Sequence, residues 1–251
     1  MSDCCVKGFE WDGTPVGAET KLAGYNTYVT GSNSEAAILF IHDLFGWTFS
    51  NARLLADIYA QEINATVYVP DFFGGEVIPA DTVRDFAKLR QLDMPAFLAR
   101  NSKITREHEI VECAQALRSK YRKLGTIGFC FGGWGVFRLG AKRSAEDNST
   151  PLVDCISTAH PSLLELSEIE NVKVPVQILA PENDMMFKQE LKDTCNRVIP
   201  SLGLPYDYQF FPRVEHGFAI RGNRHDKDEM EAMVRAKSCA VYWFKYWFHS
   251  K

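Results

Sequence analysis

The 251 residues contain no apolar run near the roughly 20 residues that a bilayer-spanning helix needs, and residues 1–20 lack the basic start and apolar middle of a signal peptide. A cytoplasmic protein with no membrane partner is the expectation. The chain also lacks a basic excess: 28 Lys and Arg stand against 32 Asp and Glu, a net charge of −4. Such a balance gives no general field to attract nucleic acid, so none is expected as a partner. None of the seven cysteines forms a C-x-x-C pair or alternates with histidines at zinc-ligand spacing, which predicts no metal site and reduced, structural cysteines, and no cofactor is expected. Internal repeats, low-complexity tracts and a Pro/Gly/Ser-rich linker are missing too. One domain over residues 1–251 is therefore expected.

What is present is an ordinary globular composition, 46% hydrophobic and 24% charged, long enough to bury a core without staples. Short apolar runs at residues 37–41, 65–69, 126–129, 152–158, 174–179 and 206–211 read as buried strands. Between them, residues 51–63, 106–121, 133–142, 188–199 and 226–248 carry apolar residues at the three-to-four spacing of helices with one buried face. This alternation predicts an α/β fold, a mostly parallel central sheet with helices on both faces. In that architecture reactive groups gather in the loops that leave the carboxyl ends of the strands. Those loops hold His42-Asp43-Leu44-Phe45-Gly46, Asp71, the 128–133 turn, Asp184 and Glu215-His216-Gly217-Phe218.

Gly128-Phe129-Cys130-Phe131-Gly132 follows a predicted strand and precedes a predicted helix, matching G-x-S-x-G with cysteine in place of serine. The motif sets a nucleophile on a sharp turn, and its glycines let strand and helix pack closely. At the start of a helix, free N–H groups and the positive end of the dipole favour a thiolate over a thiol. The other cysteines have no such setting and read as small buried residues.

A thiol nucleophile in acyl transfer needs a base, and the base an orienting partner; Cys130, Asp184 and His216 supply these in the chain order of the α/β-hydrolases. Asp184 closes Ala180-Pro181-Glu182-Asn183-Asp184, where a short carboxylate can accept the imidazole Nδ1–H or instead make an Asx turn. Glu182 is the competing carboxylate. His216 adjoins a glycine that lets its loop approach the thiol. The other histidines, His42, His108, His160, His225 and His249, read as structural or solvated.

These residues resemble the dienelactone hydrolase family, the cysteine branch of the α/β-hydrolases, and especially its eukaryotic members. The resemblance runs through most of the chain: Cys4-Cys5 with residues 13–17, the 41–47 loop, the 128–133 elbow, Asp184 and residues 216–222. It implies the α/β-hydrolase fold and hydrolysis of a lactone or activated ester through a thioester on Cys130, with Asp184 and His216 completing a triad. It implies that Asp43, where bacterial members carry glutamate, contacts and activates the resting thiol. The oxyanion hole implied is the backbone N–H of Leu44 and of Phe131. Arg221 resembles the family arginine that holds a substrate carboxylate, the alternative being a surface arginine in a basic turn. A second clamp is implied at Arg84 or Arg90.

Phe45, Trp47, Phe72 and Phe73 lie near two strand ends and either wall an apolar acyl site or form ordinary core. The aromatic stretch 242–248 reads as the tail of a packing helix or as an interface. The expected partner is a small-molecule ester or lactone, and the expected assembly a monomer or weak homodimer. Two other classes compete with the hydrolase: a thiol redox protein using Cys130, and a non-catalytic binding protein of the same fold. The ordered triad favours hydrolysis.

Overall fold

Apolar runs that would be costly to leave in water become the strands of a single sheet. In the computed structural model, which describes residues 8–79, 82, 88, 91–146 and 148–249, the strands are β1 (Ala18–Leu22), β2 (Tyr25–Thr30), β3 (Ala36–Ile41), β4 (Thr66–Pro70), β5 (Lys123–Phe129), β6 (Cys155–Ala159), β7 (Val176–Asn183) and β8 (Tyr206–Glu215). The helices are α1 (Ser50–Ile63), α2 (Met94–Arg100), α3 (Lys103–Arg118), α4 (Gly132–Gly140), α5 (Leu166–Asn171), α6 (Gln189–Ser201), α7 (Phe218–Arg221) and α8 (Lys227–His249). Cys4, Cys5, Arg84 and Arg90 lie outside the described residues.

The sheet runs β1-β2-β4-β3-β5-β6-β7-β8. From β4 to β8 every neighbouring pair is parallel. All residues of β3, β4 and β6 are buried, as strands covered on both faces must be. One set of helices, α1, α7 and α8, packs together; a second set, α3 to α6, packs in succession, and the two sets cover the sheet. Among the described residues no helix is long and apolar enough to cross a membrane.

β1 and β2 extend the sheet as an antiparallel hairpin that the sequence pattern did not reveal, because four of the five β1 residues are exposed. α2, α5 and α7 were equally silent, at seven, six and four residues. Local chemistry makes two of them: Asp93 caps α2 by accepting the Ala96 N–H, and Glu165 with Glu168 forms a capping box on α5.

The chain leaves β3 for β4 on one side and then returns to β5 on the other. The strand order thus reverses between β3 and β5, and a crevice opens at their carboxyl ends. Because β3, β5, β6, β7 and β8 are neighbours and parallel, the residues that follow each of them emerge along one edge.

Candidate active site

Cys130 terminates β5 and begins the turn into α4. Its φ is +51°, a conformation that costs a side chain-bearing residue about 1–3 kcal/mol and persists only when its surroundings enforce it. The two flanking glycines are part of that enforcement. A Cβ on Gly128 would lie 2.2 Å from the Gly132 carbonyl oxygen, and one on Gly132 would lie 2.3 Å from the Ile41 carbonyl oxygen. No side chain fits either place, so the elbow brings α4 directly onto β3.

The imidazole of His216 follows β8, and its Nδ1–H donates to Asp184, 2.9 Å from either carboxylate oxygen. Both side chains are fully buried. Asp184 also accepts the N–H groups of Met186 and Phe187, so the Asx-type turn and the histidine contact coexist in one carboxylate. Glu182 points elsewhere and accepts the Arg213 N–H. Buried Lys192 ties the segment down by donating to the carbonyl oxygens of Pro181 and Glu182.

Burial works against a charged His216, but the Cys130 sulfur and then Asp184 outweigh it, and the imidazole pKa is pushed up to about 10. His160 lies edge-on to His216 with ring centroids 4.9 Å apart. Burial, with the charges of His216 and Arg221, pushes the His160 pKa well below the ordinary value, so this second imidazole is neutral. His42 is also neutral, its pKa lowered first by burial. It staples two loops by donating from Nδ1 to the Asp43 carbonyl and accepting the Phe72 N–H at Nε2.

A cavity of about 40 Å³ touches Cys130 and is walled by Leu44, Leu98, Phe131, Ser162, Leu163 and Met186. Its lining is almost wholly apolar. Among the described residues the amides of Leu44 and Phe131, on either side of the β3–β5 crevice, have no hydrogen-bond partner.

The model of the dienelactone hydrolase family matches residues 23–248. The chain belongs to the dienelactone hydrolase family. With that it takes its place among carboxylic ester hydrolases of the dienelactone hydrolase type. Among relatives, it is 31% identical to the hydrolase tropI of Talaromyces stipitatus, over 99% of this chain and 97% of that protein. It is 29% identical to a carboxymethylenebutenolidase homolog of Rattus norvegicus, over 86% of this chain and 85% of the relative. The fold of dienelactone hydrolase from Anabaena variabilis superposes with a TM-score of 0.58 at 14% identity, covering 92% of this chain and 97% of the other.

The structure gives the other expected site residues partners of their own. Arg221 is not a surface arginine: it is buried, and its Nε lies 2.8 Å from Asp43 Oδ2. Asp43 in turn spends its Oδ1 on the Phe45 N–H, so the carboxylate faces the arginine and its own loop rather than the thiol. Gly217, at φ +92°, makes the pairing possible, because a Cβ there would lie 2.5 Å from Arg221 Nη2. Trp47 and Phe72 do not wall the cavity beside Cys130. Phe72 is wholly buried with its amide on His42, and Trp47 packs beneath the Arg53 guanidinium at 4.9 Å. Phe45 and Phe73 are core as well.

The turn after β6 brings one more residue to the thiol, Ser162. Its hydroxyl oxygen lies 3.2 Å from Cys130 Sγ and 3.5 Å from His216 Nε2. A signal was there: His160-Pro161-Ser162 leaves the carboxyl end of a buried strand, as every other reactive loop does.

Proposed function

We propose that this family member hydrolyses a lactone or activated carboxylic ester through a thioester on Cys130, with His216 and Asp184 completing a triad. The observation that carries the reading is the His216–Asp184 contact at 2.9 Å beside a cysteine in the left-handed conformation of an elbow. The relatives' names, hydrolase and carboxymethylenebutenolidase homolog, support the same class of substrate.

Cys130 stands at the start of α4, where helix N–H groups favour a thiolate, and it passes its proton to His216 Nε2 as it attacks. The sulfur attacks the carbonyl carbon, and the C=O electron pair moves to oxygen. The amides of Leu44 and Phe131 receive that oxyanion, a donor of this kind contributing about 3 kcal/mol to the transition state. Collapse expels the alkoxide or enolate oxygen, which takes its proton from His216 Nε2–H. A water then loses a proton to the neutral imidazole and attacks the thioester carbonyl; collapse expels the Cys130 sulfur beside the imidazolium and releases the carboxylic acid, which gives its proton to solvent. Throughout, Asp184 keeps the Nδ1 proton in place and balances the imidazolium.

Asp43 and Arg221 enter as a positioning pair. Their contact anchors the 42–47 loop to α7, and with it the Leu44 amide. The lining of Leu44, Leu98, Phe131, Leu163 and Met186 favours an apolar acyl group next to the carbonyl.

The test is incubation with enol lactones and aryl esters, followed by intact-mass measurement. An acyl adduct on Cys130, absent from an inactive Cys130→Ala, is the expected result. Undiminished turnover by Cys130→Ala would overturn the reading.

A further inference from the structure

The turn after β6 holds an expensive conformation. His160 at φ +39° and Leu163 at φ +59° are non-glycine residues in the left-handed region, and Cys130 at +51° is a third. Strain collected at one place persists where the surrounding structure fixes a geometry, and is a pointer to function. Here the turn is sewn to the elbow from both sides. The Cys130 N–H donates to the Ala159 carbonyl at 3.3 Å, and the Ser162 N–H donates to the Cys130 carbonyl at 2.8 Å. The residue so delivered is Ser162, which is buried, with its hydroxyl between Cys130 Sγ at 3.2 Å and His216 Nε2 at 3.5 Å.

We propose that Ser162 is a positioning residue for the Cys130–His216 pair, its hydroxyl bridging the sulfur and the imidazole. The proposal rests on the thioester reading above and adds a member to that site. A hydroxyl has a single hydrogen, so the bridge has one direction for each protonation state. With the pair ionised, Nε2–H donates to Oγ and Oγ–H donates to the sulfur; with it neutral, the thiol donates to Oγ and Oγ–H donates to Nε2. Hydrogen bonds to ionised groups are the stronger kind, so the bridge favours the ionised pair. Ser162 forms no bond to the acyl group and ends each cycle unchanged. The ionisable groups facing the pair are Asp184 from the turn after β7 and His160 from the turn after β6, with Arg221 of α7 acting on His160.

The experiment is the pH dependence of Cys130 alkylation by iodoacetamide in the full chain, with kcat and KM for an aryl acetate, in wild type, Ser162→Ala and Ser162→Thr. Alanine is expected to raise the alkylation midpoint by about one pH unit, the loss of one hydrogen bond to a charged group. It is also expected to lower kcat about tenfold at little-changed KM. Threonine keeps the hydroxyl and is expected to keep the midpoint. Because sulfur and imidazole titrate as a pair, the midpoint belongs to both, and a serine that only fills space does not move it. An unmoved midpoint in Ser162→Ala overturns the proposal, as does a threonine variant that shifts as far as alanine. The thioester reading fails separately: if alkylating Cys130 in the wild type leaves ester hydrolysis intact, that reading falls whatever Ser162 does.

Discussion

Arg221 Nε and Asp43 Oδ2 lie 2.8 Å apart with almost no water-accessible surface on either side chain. A buried ion pair of this kind is poor evidence of net stability, but removing one partner leaves the other charged and unsolvated. Arg221→Met or Asp43→Asn is expected to cost about 3–5 kcal/mol in chemical denaturation. The double variant is expected to lose less than the sum of the two, and strict additivity would dissolve the coupling.

His216 carries a second expectation, about pH. Its folded pKa of about 10 stands above the ordinary 6.5, so the stability contributed by its proton is complete below about 6.5 and drains away as pH rises through about 10. The alkaline limb of kcat/KM should follow the same proton. Asp184 is among the groups that raise this pKa, so Asp184→Asn is expected to move that limb to lower pH. A pH–rate profile with an unshifted limb would contradict the assignment.

The elbow makes stability and turnover oppose each other at one residue. Cys130 at φ +51° is strained with any side chain larger than hydrogen. Cys130→Gly is expected to be about 1 kcal/mol more stable than Cys130→Ala by urea titration, and both are expected to be inactive. Equal stability of the two would show that the turn is relaxed.

Gly132 offers a harsher test of the same turn. A methyl group there meets the Ile41 carbonyl at 2.3 Å, and that carbonyl belongs to a fully buried central strand with little room to retreat. Gly132→Ala is expected to lose about 3 kcal/mol or more, read as a lowered melting temperature and faster proteolysis. A wild-type melting curve would mean that strand and helix can separate at no cost.

How far the sequence could be read follows from burial. The apolar runs lie on β3 to β7 because strands covered on both faces leave few polar positions to interrupt them; β8, at the edge, is mostly half-buried or exposed rather than the buried strand its run suggests. β1 shows no run because it faces water on nearly every residue. Cys130 and His216 were legible through adjacent glycines, which mark close backbone approach. Ser162 had no such mark, since a serine after a strand is an ordinary turn residue until the sheet sets β6 beside β5. Arg221 sits in Arg221-Gly222-Asn223-Arg224, which reads as a solvated surface turn; only α7 turns its guanidinium inward. Trp47 and Phe72 do not line the cavity beside Cys130 for a complementary reason: proximity to a strand end does not say which way a ring points.

The order of strands also governs when the molecule comes alive during its own folding. On the thioester reading, the thiol comes with β5 and its base, the His216 imidazole, follows β8, the edge strand, which pairs with β7 alone. A chain halted before that last addition holds its nucleophile without a base. Regained turnover therefore reports the closing of the sheet's far edge, which helix content alone does not.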